Sequence, residues 1–200
     1  MPKIDPSTLE LEERVVKTNK CQKTHKGGRT LSWNALVVVG DGHGHVGAAI
    51  GKARGIPDAI RKGFEAAKKE LIRVPLAGQT IPHMVRSHHG ASVVLLKPAT
   101  PGTGVVAGGS MRHILEAAGV KDVVGKSLGS ANAINTAWAT LQALSELRSP
   151  DQIARLRGVE EELSGNGKRN GGNGAGPAVA SEPATETAAP VAAAEAGDAE

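Results

Sequence analysis

One cysteine, Cys21, stands among 200 residues. A lone thiol excludes an intramolecular disulfide and any zinc site built from several cysteines, and a reducing cytosol is its simplest setting. Tyrosine is absent, and the aromatic set is Trp33, Phe64 and Trp138. So few rings all but exclude a sheet that stacks successive bases on exposed aromatics, so any RNA binding has to work through backbone and shape. Long apolar runs are missing too, since no window approaches the roughly 20 apolar residues of a membrane helix. The first residues carry Asp5, Glu10, Glu12 and Glu13 instead of the apolar core of a signal peptide. A soluble cytoplasmic protein with no membrane contact is expected. Carboxylates paired for acid–base chemistry are scarce as well. Asp41, Asp58, Glu65 and Glu70 fall in a predicted hairpin or on a helix surface, with Glu65 and Lys69 at the i,i+4 spacing of an ordinary ion pair.

What is abundant is positive charge in one place. The formal net charge is +4, but residues 158–200 hold eight acids and two bases, which leaves 22 bases and 12 acids, a net of +10, to residues 1–157. Arg14 to Arg86 alone carry 14 bases against four acids. Such a field favours polyanions. Its sharpest part is Arg14, Lys17, Lys20, Lys23, Lys26 and Arg29, a base at every third residue with no acid between Arg14 and Gly40. This reads as a basic loop, in which Gly27 and Gly28 let backbone amides approach phosphates closely. Six phosphate contacts would give a slope of log affinity against log salt of about −5 on duplex.

At roughly 100–200 residues per domain, the length allows one or two small domains. From Thr30, the odd positions Leu31, Trp33, Ala35, Val37 and Val39 are apolar, which predicts a strand with one buried face. Gly40-Asp41-Gly42-His43-Gly44 then separates it from Val46, Ala48 and Ile50, again at spacing two, so a hairpin is expected. Pro57 sits where a first helical position would be, and Ile56, Ile60, Phe64, Ala67 and Leu71 predict a helix to about Arg73. After a connection at Pro75 to Pro82, Val93 to Leu96 opens a second unit. Gly108-Gly109-Ser110 starts a short helix ending at Gly119, Val123-Val124 reads as a buried strand, and Ser130 is expected to cap a helix through Trp138 and Leu144. Ser149-Pro150-Asp151-Gln152 is a capping box for one more. The result is an α+β chain of two small two-layer domains, 9–77 and 81–157, behind a flexible stretch at 1–8. Residues 158–200, rich in Gly, Ala and Glu, are expected to be a disordered tail.

Three patterns imitate enzyme motifs. Gly42-His43-Gly44-His45-Val46-Gly47 fits G-x-G-x-x-G but leads into alternation instead of a helix, so it is a hairpin. Gly119 to Ser127 has one residue too many for the phosphate loop G-x-x-x-x-G-K-[ST]. Gly125-Lys126-Ser127-Leu128-Gly129 fits G-x-S-x-G, yet the last histidine, His113, precedes the serine, so no triad order is available and a structural turn is expected. His43 with His45 and His88 with His89 lack carboxylate or thiol neighbours at metal-ligand spacing. No catalytic residue, metal or cofactor is assigned.

Several motifs stand in register: Lys23-Thr24-His25-Lys26-Gly27-Gly28-Arg29, Gly40 to Gly47, Gly51-Lys52-Ala53-Arg54, Lys97-Pro98-Ala99, Gly102-Thr103-Gly104, Ala107 to Arg112 and Gly129-Ser130. Over about Leu9 to Arg157, the chain resembles the small-subunit ribosomal protein S-five family. That resemblance implies a double-stranded-RNA-binding-like first domain and a C-terminal β-α-β-α domain with a left-handed crossover. It implies a non-catalytic place in the small ribosomal subunit, on rRNA, beside ribosomal proteins S-four and S-eight and near the messenger RNA path, where the family steadies the head against the body and influences accuracy. Carried over by position, Lys17, Lys20, Lys23, Thr24, His25, Lys26, Gly27, Gly28, Arg29, Lys52 and Arg54 would bind RNA. Gly102, Thr103, Gly104 and Arg112 would lie near S-four. His45 departs from the family's frequent arginine, and Ala48 and Ile50 from its aromatics. A free double-stranded-RNA-binding regulator is the alternative function.

Overall fold

Ala35-Leu36-Val37-Val38-Val39 is apolar at every position, and all five side chains are buried. This overturns the expectation of one buried face and explains the architecture: the strand that carries the run has a helix on one side and a second sheet's core on the other. The computed structural model describes residues 5–6 and 9–158, all within one compact unit. Apart from Gly158, the tail expected at 158–200 lies outside the described residues.

The chain forms two sheet-containing α+β domains. In the first, β1 (Glu12–His25), β2 (Gly28–Gly40), β3 (His45–Ala53) and the short β4 (Ile72–Arg73) make an antiparallel sheet in sequence order, with α1 (Ile56–Ala67) between β3 and β4. The expected basic loop is therefore two long strands joined by a two-residue turn at Lys26-Gly27. α1 also stops six residues earlier than its apolar stripe suggested. Turns through Lys68 to Glu70 close it, and Ile72–Arg73 then pairs with His45 and Val46 on β3. Lys69 lies past the helix, and Lys68 reaches β1 instead, 2.7 Å from Glu13.

In the second domain, β5 (Val85–His89), β6 (Ser92–Pro98), β8 (Val123–Gly129) and β7 (Val105–Val106) lie in that order, and β7 runs parallel to β8 through the connecting α2 (Gly109–Ala117). α3 (Ala133–Glu146) and α4 (Pro150–Arg157) follow. The stretch Gly125 to Gly129 is part of β8, not a turn, because its backbone completes the ladder to β6. The cap of α3 is Asn132, whose side chain accepts from the Ile134 amide at 3.1 Å, while Ser130 sits two residues upstream and accepts from the Asn132 amide. The capping box at Ser149 and Gln152 forms as expected.

Two layers of core result. Ala35, Val37, Val39, Ala49, Ala59 and Ala67 lie between the first sheet and α1, with Phe64 and Ile60 at the margin. Small residues bring helix and sheet together, and a methyl group at Gly51 would overlap the carbonyl of Ala59. On the other side, Leu36, Val38, Val46 and Ala48 join Leu96, Met111, Ile114, Leu115 and Leu144 in one continuous cluster. Burial of a large aliphatic side chain contributes roughly 1.5–3 kcal/mol, so the two domains are bound by several such terms.

Where they meet, backbones touch directly. Gly119 has φ +82° and a Cβ there would collide with the Gly42 carbonyl, so only glycine satisfies both conformation and space. Gly119→Ala is expected to destabilise the protein by about 3 kcal/mol in urea denaturation, from added strain and overpacking. Gly27→Ala, with open space around its Cβ, is expected to leave the midpoint unchanged.

Candidate nucleic-acid interface

β3 pairs with β2 only from Val46 to Ala53, opposite Gly40 to Trp33. Beyond Trp33, β1 and β2 continue alone to the turn at Lys26-Gly27, paired at every residue from Lys20 to His25. The sequence thus builds a two-stranded arm, and every residue from Gln22 to Leu31 is exposed. Residues directly opposite one another in an antiparallel pair share a face. On the α1 side stand Lys20 with Trp33 and Thr24 with Arg29; on the other stand Lys17 with Leu36, Lys23 with Thr30, and His25 with Gly28. Lys26 occupies the tip.

The every-third spacing of bases accordingly puts cations on both faces. A bulge between Val15 and Lys17 modifies the pattern at the root, placing Lys17 on the face of Arg14. Lys52 joins the Lys17 face through the row Asn19–Asn34–Lys52, and the exposed Arg54 follows just past β3. The Lys20 ammonium lies 6.0 Å from the centre of the Trp33 ring, a separation at which the ring face attracts a cation. Asn34 Oδ1 is buried with no hydrogen-bond partner, a feature of the arm's root that the sequence did not single out.

Arg14 does not belong to this cation set. Its guanidinium bonds Glu116 Oε2 at 2.8 Å and Glu12 Oε1 at 3.0 Å, while Arg112 bonds the other Glu116 oxygen at 2.8 Å. Glu116 is thereby held below the ordinary carboxylate value, by the Arg112 hydrogen bond first, against the opposing cost of desolvation. Beside it, the turn between β2 and β3 closes the C-terminal end of α2. The amides of Gly42 and Gly44 donate to the carbonyls of Ala117 and Ala118, both at 3.0 Å. Asp41 shapes that turn by accepting from the amides of His43 and His45 at 2.7 and 2.9 Å and contacting His45 Nδ1 at 2.6 Å. Burial opposes its ionisation, but these hydrogen bonds outweigh burial and the Asp41 carboxyl lies below its usual range.

Gly102, Thr103 and Gly104 form a separate cluster. The Gly102 and Gly104 amides donate to Oδ1 of the buried Asp122 at 3.0 and 2.9 Å, and the Thr103 amide donates to Thr100. Asp122 organises this loop, and nothing in its sequence surroundings marked it. Arg112 is on α2 and spends its guanidinium on Glu116.

Comparison with known proteins decides what the arrangement is. A family model described as ribosomal protein S5, N-terminal domain, matches residues 11–75, and one described as ribosomal protein S5, C-terminal domain, matches residues 87–157. The chain belongs to the ribosomal protein S5 family. It is 55% identical over 155 residues to the small ribosomal subunit protein uS5 of Chloroflexus aurantiacus, covering 78% of this chain and 87% of that protein. Membership makes it a non-enzymatic constituent of the small ribosomal subunit.

Of the positions expected to differ from the family's pattern, His45 and Ala48 fall away from the arm, at the domain seam. His45 pairs with Asp41, and Ala48 is buried in the shared core, whereas Ile50 is partly open at the surface. The three glycine patterns are likewise structural, since Gly42 to Gly47 leads into β3, Gly119 ends the α2 turn, and Lys126 and Ser127 lie within β8.

Because Asp41 and Glu116 are depressed in the folded state, their stabilisation is complete above the ordinary carboxylate range and is lost as pH falls through their lowered values. Asp41→Asn is expected to lower the urea midpoint at pH 7 and to flatten its fall between pH 5 and pH 3. Equal acid dependence in variant and parent would show that the turn is held by other groups.

Proposed function

We propose that the protein binds small-subunit rRNA through the β1–β2 arm, by neutralising phosphates on both sides of a thin ribbon. The observation that carries this reading is the arm and its root: beyond Trp33 two unsupported strands, exposed on both faces, carry Lys23 on one face, Arg29 on the other and Lys26 at the tip, while at the three-stranded root Lys17 and Lys52 share the Lys23 face and Lys20 shares the Arg29 face. No acid occurs between Arg14 and Gly40. A ribbon charged on both faces suits insertion between RNA segments, where each face meets its own backbone. Thr24, His25, Gly27 and Gly28 lie within the same tip and leave its backbone accessible, and Arg54 adds charge beside Lys52.

The reading extends to position and role. In it, the domains 9–77 and 81–157 act as one wedge that steadies the head of the small subunit against its body, near the messenger RNA path, and supports accurate decoding. Ribosomal proteins S-four and S-eight are its protein neighbours, with Gly102, Thr103, Gly104 and Arg112 turned toward S-four. Family membership supports this part, as does the seam, which joins the two domains by backbone contact and by the Arg14–Glu116–Arg112 ion pairs.

Phosphate neutralisation has a measurable signature, because each lost contact lowers the salt slope by about one. The double variant Lys26→Ala, Arg29→Ala is expected to fold as the parent does, to bind small-subunit rRNA more weakly, and to show a slope shallower by about two. An unchanged slope would remove the arm from the interface. Equal parental affinity for rRNA and for random duplexes would support a free regulator of double-stranded RNA instead.

A further inference from the structure

A basic patch on a globular body faces one way, because core lies behind it. The arm has no such back. On the α1 side stand Lys20 and Arg29, on the opposite side Lys17 and Lys23, and all four are exposed. Only one sheet's thickness separates the two sets. A layer packs about 10 Å from a sheet, and at 0.01 M salt the Debye length is about 30 Å. Two phosphate backbones lying on opposite sides would therefore repel each other strongly unless cations stood between them, which is where these four stand. From Gln22 to Leu31 the arm carries neither an acid nor a Phe, Tyr or Trp. Single-strand binders built on rings hold bases by stacking, which competes with base pairing. This arm offers charge to phosphates and leaves base edges free.

We infer that the arm has a further activity on free RNA: one protein holds two RNA chains at once, one on each side of the ribbon, and so accelerates the pairing of complementary strands. This rests on the arm as an RNA-binding element and adds to it a stoichiometry and a rate. Strand pairing is slowed by repulsion between the two backbones, and a single molecule that neutralises both lowers that barrier. It also raises the effective concentration of one strand around the other. The shape of the tip permits the strands to meet. Beyond Lys26 the ribbon ends in Gly27 and Gly28, and no atom lies within 4 Å of a Cβ placed at either. Strands held on the two sides can thus pair just past the turn, with no side chain of Gly27 or Gly28 between them.

The test mixes the full chain with two complementary RNA strands carrying donor and acceptor dyes and follows annealing by energy transfer. At low salt the parent is expected to raise the bimolecular rate by about tenfold, an effect lost near 1 M salt, where the Debye length is about 3 Å. Two double variants then remove two exposed cations each. Lys20→Ala with Arg29→Ala strips β1 and β2 of every Lys and Arg on the α1 side, whereas Lys23→Ala with Lys26→Ala leaves cations on both sides. Binding of a single RNA duplex is expected to lose about two units of salt slope in each variant, but only the first is expected to lose the acceleration. Equal annealing rates in the two variants, with both slopes reduced, would overturn the two-sided activity and leave the arm as an RNA site. Unchanged slopes in both would remove the arm from RNA binding altogether. A second measurement needs no variant: sedimentation of the parent with excess non-complementary RNA hairpin is expected to find one protein on two hairpins. Saturation at one hairpin per protein, or two hairpins joined only by two proteins, would refute the inference.

Discussion

Everything in this molecule depends on how the turn at Gly40 to Gly44 sits on the end of α2. Helices leave their last carbonyls unpaired, and here Ala117 and Ala118 find donors in the amides of Gly42 and Gly44, contributed by the other domain. Gly40 and Gly119 make the approach sterically feasible, since a methyl group at either would strike the opposing backbone. Asp41 holds the turn in shape and Glu116 ties the end of α2 to Arg14 on β1. Once the seam is closed, the second face of β2 has no solvent to meet, and its apolar side chains complete the core of the neighbouring domain.

That constraint also divides labour along the charged stretch. Arg14, at the seam end of β1, is engaged by two carboxylates, whereas the bases from Lys17 onward are exposed along the root and the arm. One segment of sequence thus serves cohesion at its root and polyanion attraction at its tip, and the bulge near Val16 separates the two uses. Cation density at the tip is tolerable because the ribbon keeps each charge in water, where like-charge repulsion is weak.

Much of this was legible in the residues. Alternation located β2 and β3, the Asp-Gly turn located the hairpin, and the capping box located α4. The motifs in register indicated the family from Leu9 to Arg157. What could not be read has physical causes. Lysines at every third residue obey neither the period of a strand nor that of a helix, so β1 was hidden until its pairing with β2 revealed it. The stripe from Ile56 to Leu71 ran on past the true end of α1, because Leu71 is buried by tertiary contact instead of helical periodicity. A five-residue apolar run was counted for one face only, although continuous burial is what two covered faces demand. Asp122 works by accepting from the backbone amides of Gly102 and Gly104, and the Ala117–Ala118 carbonyls accept from those of Gly42 and Gly44, so the partners in both cases are main-chain groups that carry no side-chain signature.

The arm and the seam are opposite ends of one strand. β2 runs without a break from Gly28 beside the tip to Gly40 against α2, about 40 Å at the usual rise per residue. Its half from Ala35 to Val39 is clamped between α1 and the second domain's core, so it has a fixed support. A beam of that kind transmits a sideways load at its free end into torque at its support, and the support here is the joint between two domains. Mechanical coupling between whatever grips the tip and the angle of the second domain is therefore a property of the strand's continuity, present before any side chain is considered.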